Sequence, residues 1–162
     1  MIVFRPRARF VFTHPAHFIA FGFGAGLSPF APGTVGTLVA FALWWLIGGA
    51  YSLPVLFGIL AFLFAVGVWA CDITGRHLGI ADHGAMNWDE VVAFLLILAI
   101  TPPGWAWQAF AFFAFRFFDV VKPPPIRYFD RTIKGGFGVM FDDIVAAFYT
   151  LLAMAIVKQL FF

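Results

Sequence analysis

Long apolar stretches alternate with short charged blocks along this chain. Between Gly and Pro breaks, the apolar stretches predict helices at residues 34–49, 53–71, 89–100, 105–121 and 142–162. A helix of about 20 apolar residues crosses the hydrocarbon of a bilayer, and these stretches reach or approach that length. The pattern therefore predicts an all-α, polytopic membrane helical bundle of about four to five spanning helices.

The N-terminal part of the chain predicts a less regular structure. Residues 16–33 are apolar, but glycines and prolines interrupt them and disfavour a straight helix. Irregular backbone at membrane depth is tolerated only where protein or water covers it. We expect a broken interfacial or re-entrant segment here, preceded by a basic, partly flexible cytoplasmic arm at residues 1–15. Thr34 is the expected N-cap of the next helix, and Gly48 its expected end.

All charged residues except Lys158 fall into three blocks. The first block is Arg5, Arg7 and Arg9. The second is Asp72, Arg76, Asp82, Asp89 and Glu90. The third is Arg116, Asp119, Lys122, Arg127, Asp130, Arg131, Lys134, Asp142 and Asp143. If the first block is cytoplasmic, as the positive-inside rule favours, paired spans return the other two blocks to the same face. The opposite turns carry no charge, so we expect the chemistry on the cytoplasmic face.

Composition supports a membrane protein. The chain is 63% hydrophobic and 11% charged, whereas soluble domains carry about 25% charged residues. Its 162 residues suit one domain, 1–162. The net charge of +2 comes from cations interleaved with acids, which does not indicate nucleic-acid binding and suits an anionic leaflet. The single cysteine, Cys71, excludes an intramolecular disulfide. The oligomeric state is left open.

Two adjacent acid pairs, Asp89-Glu90 and Asp142-Asp143, each open a predicted hydrophobic helix. Acids at a helix N-terminus complement the macrodipole, which is the simpler explanation. However, carboxylates beside hydrocarbon are costly unless paired or bound to a cation, and four of them together repel one another. A hard divalent cation such as Mg²⁺ relieves that repulsion and prefers oxygen ligands. The two pairs therefore favour a metal site.

Arg116, Asp119 and Lys122 recur at a spacing of three and share one helix face. They indicate either snorkelling side chains with an internal ion pair or a cationic clamp for phosphate. In a clamp, Asp119 is a further metal ligand or a nucleophile. Cations in the following loop are weaker candidates, because positive charge is expected in a cytoplasmic loop. These are Arg127, Arg131 and Lys134.

Small and polar residues provide weaker signals. Gly135, Gly136 and Gly138 predict a loop whose backbone N–H groups approach a ligand. Ser28, Thr34 and Thr37 could donate to phosphate oxygens or cap a helix. The chain has no G-x-x-x-x-G-K-[ST] motif and no zinc-type histidine pattern. Four residues separate Cys71 from Arg76, where a thiolate phosphatase loop needs five. His83, beside Asp82, is a proton shuttle or a locally paired loop histidine.

Three stretches together resemble a known family. They are GFGAGLSPFAPGTVGTL at 22–38, DHGAMNWDE at 82–90 and FRFFDVVKPPPIRYFDRTIKGGFGVMFDDIVA at 115–146. Their order and separation are similar to those of phosphatidylglycerophosphatase A, and the resemblance covers nearly the whole chain. It implies a multi-pass enzyme of the bacterial inner membrane that needs Mg²⁺. The implied reaction hydrolyses phosphatidylglycerophosphate, a phospholipid in the bilayer, to phosphatidylglycerol and phosphate.

The resemblance also implies roles for individual residues. The family's W-D-E, D-x-x-K-P and paired-aspartate elements match the catalytic and metal-binding candidates. These are Asp89, Glu90, Asp119, Asp142 and Asp143. The P-G-T-x-G-[ST] element and the cations supply the candidates for binding phosphate. These are Thr34, Thr37, Arg116, Lys122 and Arg127. Asp82 or Asp130 would position the attacking water. Direct attack and an aspartyl-phosphate both stay open, and the lack of a D-x-D-x-[TV] motif favours direct attack.

Three alternatives remain. A phosphatase for another lipid or polyprenyl phosphate would have the same metal site. Intramembrane acids also mark cation paths, which is typical of a small ion transporter. The acids here are expected at helix ends rather than at mid-depth, which argues against transport. A purely structural subunit does not explain two acid pairs at inward-facing helix ends.

Overall fold

The computed structural model describes residues 6–161, and over these residues the fold is helical, with no strand. The helices in chain order are α1 Ala8–Val11, α2 Pro15–Ala20, α3 Pro32–Ile47, α4 Leu53–Leu78, α5 Trp88–Ile100, α6 Trp105–Val121, α7 Ile126–Thr132 and α8 Gly135–Phe161. A 3₁₀ helix, Gly22–Leu27, lies between α2 and α3. The prediction of an all-α fold is confirmed.

Two of these helices are long and apolar enough to cross a membrane. They are α4, with 26 residues, and α8, with 27. Helices α3, α5 and α6 have 16, 13 and 17 residues, which is short of the roughly 20 that a span needs. The described residues thus provide two candidate spans, and the predicted count of four to five is not confirmed. Large apolar side chains such as Trp45 and Trp105 are exposed, which suits a lipid environment.

Helix α5 is the central helix of the bundle. Residues 91–95 of it are all buried, and it packs against α3, α4, α6 and α8. A helix that is apolar all round must be covered by protein or by lipid, and here protein covers most of it. The helix predicted at residues 89–100 is therefore the central helix of the bundle.

The broken N-terminal segment is present as predicted. After α2 the chain forms the 3₁₀ helix, inside which Phe23 and Gly24 have φ values of 61° and 98°. Gly26 lies so close to the loop before α5 that a β-carbon on it would overlap the carbonyl oxygen of Ala85. Protein thus covers part of the irregular backbone. An interfacial or re-entrant position stays a prediction.

Two boundary predictions for α3 have different outcomes. Gly48 caps the C-terminus of α3, as predicted. Thr34 is not the N-cap, because α3 begins two residues earlier, at Pro32. Proline suits the first helical turn, where a backbone N–H has no partner in any case. Ala31, with φ of 42°, precedes it as the N-cap.

Part of the expected N-terminal arm packs on the bundle. Arg5 lies outside the described residues. Val11, in α1, is fully buried, and the ring of Phe10 stacks on His17 with centroids 4.1 Å apart. Nε2 of His17 lies 2.8 Å from Nδ1 of His77, which joins α2 to the C-terminal part of α4. Residues 8–11 are thus a packed helical turn rather than a flexible arm.

The predicted polar loop at 122–141 is mostly helical, which corrects the sequence interpretation. Helix α7 occupies part of it, and α8 begins at Gly135. A β-carbon on Gly136 would overlap the carbonyl oxygen of Val68, so this glycine lets α8 approach the backbone of α4. The glycines predicted to form a ligand-binding loop instead serve helix packing. Consequently Asp142 and Asp143 lie about two turns inside α8 rather than at its start.

The second and third charged blocks meet at one end of the bundle. Arg116 of α6 contacts Glu90 of α5, and Lys122 contacts Asp142 of α8. The backbone N–H of Gly136 donates to Oδ1 of Asp72, over 3.4 Å. The prediction that these charges gather on one side is confirmed for the described residues. We call this region the charged end.

Candidate functional site

Helix α5 begins at a firmly held point. The indole Nε1 of Trp88 donates to the carbonyl oxygen of Leu63 in α4, over 3.2 Å. The side-chain amide of Asn87 donates to the carbonyl oxygen of Pro32 at the start of α3, over 2.9 Å. These bonds fix the first turn of α5 against both neighbours, and this turn carries Asp89 and Glu90. Sequence analysis gave no role to Asn87 or Trp88.

The first-turn acids of α5 meet one acid of α8. One carboxylate oxygen each from Asp89, Glu90 and Asp143 lies within 4.8 Å of the other two. Asp89 is 8% exposed and Asp143 is 3% exposed. We call these three residues the acid cluster. The two acid pairs were predicted to lie together, and three of their four residues do so.

The acid cluster contains carboxylate oxygens without hydrogen-bond partners. Oε2 of Glu90 and Oδ2 of Asp143 are buried and accept no hydrogen bond. A buried carboxylate without a partner is strongly unfavourable, and neighbouring negative charges add repulsion. A divalent cation would relieve both costs, since hard cations such as Mg²⁺ bind carboxylate oxygens. The donor set and its unpaired atoms thus fit a Mg²⁺ ion held by Asp89, Glu90 and Asp143.

Arg116 lies at one edge of the acid cluster. Its Nη1 is 2.7 Å from Oδ2 of Asp119, one turn along α6, and 3.5 Å from Oε1 of Glu90. The spacing of three predicted this shared face. The guanidinium therefore links Asp119 to the cluster and partly neutralises both acids.

Lys122 forms the second cationic position. Its Nζ donates to Oδ1 of Asp130, over 2.9 Å, and to Oδ2 of Asp142. Burial opposes the charged form of Lys122, but the carboxylates of Asp142 and Asp130 outweigh it and hold the pKa of the ammonium above its usual value. Lys122 is thus a permanent cation beside the acid cluster.

Asp119 and Asp142 differ from the other predicted metal ligands. Each forms an ion pair with a cation, Asp119 with Arg116 and Asp142 with Lys122. Among the described residues, neither Asp119 nor Asp142 belongs to the group of carboxylates that lie close enough to share one ion. Their role as metal ligands or as a nucleophile stays a prediction.

The predicted phosphate-binding hydroxyls lie near the start of α3. Thr37 is fully buried, and its hydroxyl donates to the carbonyl oxygen of Gly33, over 3.0 Å. That donor is therefore already used inside the helix. Thr34 is half-buried on the first turn of α3. Arg127 is exposed, and its Nη2 donates to the carbonyl oxygen of Val121, over 3.2 Å.

Gly33 has a packing role that was not predicted from the sequence, where the neighbouring threonine hydroxyls were the candidates. A β-carbon on Gly33 would overlap Oε1 of Glu90 and lie 3.1 Å from Nη1 of Arg116. The absence of a side chain therefore lets the start of α3 approach the Glu90–Arg116 contact. In the sequence, the first glycine of the P-G-T-x-G-[ST] element was the feature that could have indicated this close approach.

A polar cleft of about 340 Å³ opens at the charged end beside Lys122's partner, Asp130. Asp82 and Lys134 also line it. Lys134 donates from Nζ to the carbonyl oxygen of Asp130, over 2.7 Å. The cleft offers space for a charged group next to the Lys122 ion pairs. Asp82, named from sequence as a water-positioning candidate, lies in this cleft.

His83 follows Asp82 in the loop before α5. It is buried, and its Nδ1 accepts a hydrogen bond from the backbone N–H of Ala85, over 3.1 Å. This bond shapes the loop before α5, and both roles considered for His83 from the sequence stay predictions.

The fold and this site define a class: a helical, apolar protein with a buried carboxylate cluster flanked by two cations. The comparison with family models identifies the class further. Residues 18–158 match the model of phosphatidylglycerophosphatase A. The chain belongs to this family.

Individual relatives agree with the family match. The chain is 42% identical over 145 residues to the phosphatidylglycerophosphatase A of Escherichia coli K12, covering 86% of this chain and 81% of the relative. It is 39% identical over 150 residues to that of Haemophilus influenzae, covering 92% of each. A relative from Bacteroides thetaiotaomicron is 38% identical over 150 residues, covering 86% of this chain and 91% of the relative. It carries the provisional name phosphatidylinositol-3-phosphatase. No solved structure matches the chain.

Proposed function

We propose that this protein hydrolyses the phosphate monoester of phosphatidylglycerophosphate, giving phosphatidylglycerol and inorganic phosphate, with Mg²⁺ as cofactor. One observation carries the proposal. In a chain of this family, Asp89, Glu90 and Asp143 bring carboxylate oxygens within 4.8 Å of one another, and two buried oxygens of this cluster lack partners. Mg²⁺ bound there would neutralise the phosphate and stabilise the charge that develops on the leaving oxygen.

The two cations have donors left for a phosphate. A guanidinium has five N–H donors, and Arg116 places only Nη1 in ion pairs, with Asp119 and Glu90. An ammonium has three donors, and Lys122 directs two toward Asp130 and Asp142. The remaining donors would hold the non-bridging oxygens of the phosphate and balance their charge in the transition state.

The attacking water would come from the polar cleft. Asp130 is paired with Lys122, which leaves Asp82, in the same cleft, as the better-placed carboxylate to orient the water. The water oxygen bonds to phosphorus while the bond from phosphorus to the glycerol oxygen breaks. Asp82 takes one proton from the attacking water, the leaving glycerol oxygen takes up one proton from solvent, and phosphate departs into the cleft. Direct attack of this kind needs no phosphorylated aspartate.

We place the charged end at the cytoplasmic face of the bacterial inner membrane. The apolar surfaces of α4 and α8 support insertion, and the basic residues of the charged end favour the cytoplasmic side. The three shorter helices would complete a multi-pass bundle, with α3 and α6 around α5. A head group at the interface could then reach the acid cluster without leaving the bilayer.

Phosphate release by detergent-purified protein tests the proposal. Phosphatidylglycerophosphate is the main substrate, assayed with Mg²⁺ and with excess chelator. Phosphatidylinositol 3-phosphate and a polyprenyl phosphate complete the panel, because the Bacteroides relative bears a phosphoinositide name. Rapid release from phosphatidylglycerophosphate that chelator abolishes would support the proposal. Release from another substrate alone, or release unaffected by chelator, would contradict it.

A further inference from the structure

An apolar groove lies between α4, α5 and α8, on the flank of the bundle. Phe57, Leu60 and Phe64 line it from α4, at spacings of three and four that place them on one helix face. Val92 and Leu96 of α5 form its inner wall. The groove has a volume of about 380 Å³, and its lining is hydrocarbon almost throughout.

The groove passes the depth of the acid cluster, because its lining on α8 runs from Phe137 to Ile144 and so spans the position of Asp143. The bond from Trp88 to the carbonyl oxygen of Leu63 sets the first turn of α5 level with Phe64. On α5, Val92 comes three residues after Asp89, and Leu96 comes seven residues after it. The three side chains therefore share one face of the helix. Along α4 the lining then runs from Phe64 to Phe57, away from the charged end, for about 10 Å.

The shape and position of the groove indicate its occupant. The groove offers almost no polar group and opens along the flank of the bundle. Two of the three helices that form it, α4 and α8, are those long and apolar enough to cross a membrane. Its open side therefore faces the depth of lipid hydrocarbon. A single alkyl chain suits this space.

We propose that this groove holds an acyl chain of the lipid substrate while its phosphate lies at the acid cluster. This assignment rests on the proposed function, since it places the tail of the same substrate. Binding energy from a remote part of a substrate can position the reacting group. The groove would thus select substrates by chain length and set the depth of the head group.

Ala61 offers a direct test, because it lines the groove on α4 between Leu60 and Phe64 and has a small side chain. Ala61→Phe would fill the groove without touching a charged residue. Ala106→Phe is the matched control, since Ala106 is exposed on α6 and is not part of the groove lining. Thermal unfolding checks that both variants fold. The substrates are phosphatidylglycerophosphates with two 16-carbon or two 6-carbon acyl chains.

Ala61→Phe should lower kcat/KM for the long-chain substrate by about ten-fold or more, mostly through KM, and for the short-chain substrate by less than about two-fold. Ala106→Phe should change neither by more than about two-fold. An equal loss on both substrates, or an unchanged value on the long-chain substrate, would overturn the groove assignment. Wild-type protein that releases phosphate from neither substrate would instead refute the proposed function.

Cross-linking tests the groove without turnover. The probe is phosphatidylglycerol with a diazirine in one acyl chain, in mixed micelles. We expect labelled peptides from residues 57–64, with less label there in Ala61→Phe and unchanged label in Ala106→Phe. Equal labelling of that segment in all three proteins would contradict the assignment, whatever the result of the activity assay.

Discussion

Gly33 lies against the carboxylate of Glu90: a β-carbon on this glycine would overlap Oε1 of the acid. The contact joins the start of α3 to the first turn of α5 and leaves no room for a side chain. The same carboxylate lies 3.5 Å from Nη1 of Arg116. The start of α3 therefore fixes the position of Glu90 within the acid cluster, beside the cation of Arg116.

Gly33→Ala should displace Glu90 and lower phosphatase activity by about ten-fold or more, because small displacements of catalytic groups are costly. Thermal unfolding and Mg²⁺-dependent phosphate release would be measured together. Gly58→Ala is the control, since a β-carbon there meets open space. Normal activity in Gly33→Ala would show that the close approach to Glu90 has no role in turnover.

Asp89→Asn and Asp143→Asn should each abolish phosphate release while leaving the protein folded. Each change removes a carboxylate from the proposed Mg²⁺ site and also relieves repulsion within the acid cluster. The thermal midpoint without metal should therefore be unchanged or higher than in the wild type. Near-normal activity in either variant would remove that residue from the site, and a large drop in the midpoint would indicate a structural role.

Lys122→Met should destabilise the protein by about 3 kcal/mol, because it leaves the buried carboxylate of Asp142 without its cation. The free energy of unfolding in detergent measures this effect. Arg76→Met removes an ion pair to Asp72 whose arginine side chain is 76% exposed, and it should cost less than about 1 kcal/mol. Equal losses in the two variants would contradict the importance assigned to Lys122.

Gly136→Leu should weaken the packing of α8 on α4, since the first atom of any side chain there overlaps the carbonyl oxygen of Val68. We expect a loss of at least about 2 kcal/mol in the free energy of unfolding, which is within the range for overpacking. Gly58→Leu, in open space on α4, should be neutral or stabilising, because leucine favours helix more than glycine does. A stable Gly136→Leu protein would mean that the helices can separate without cost.

The pattern of charged residues predicts which side chains gather at one end of the bundle, whereas helix packing determines which of them are in contact. Buried charges need partners, so the pattern of Asp89, Glu90, Arg116 and Lys122 predicted a shared charged end correctly. Which carboxylates meet was not predictable, because Asp142 and Asp143 point in different directions from α8. One pairs with Lys122, and the other joins the acid cluster.

The remaining differences between the predictions and the structure concern the glycines at 135–138 and the length of α5. The glycines at 135–138 are compatible with a loop or with close helix packing. The close approach of Gly136 to the carbonyl oxygen of Val68 shows that they serve packing. The apolar sequence of α5 fits a spanning helix and a core helix equally well. Its 13 residues are enclosed by neighbours that the sequence does not place. Hydropathy alone therefore does not fix the number of spans.

We infer that the acid cluster is a divalent-cation site. The most direct measurement is equilibrium binding of Mn²⁺, as a paramagnetic substitute for Mg²⁺, to wild-type protein and Asp143→Asn in detergent. Asp72→Asn, which alters an acid outside the cluster, is the control. We predict that Mg²⁺ competes with Mn²⁺ in the wild type, that Asp143→Asn binds Mn²⁺ at least about ten-fold more weakly, and that Asp72→Asn binds it normally. Unchanged Mn²⁺ affinity in Asp143→Asn would contradict the account.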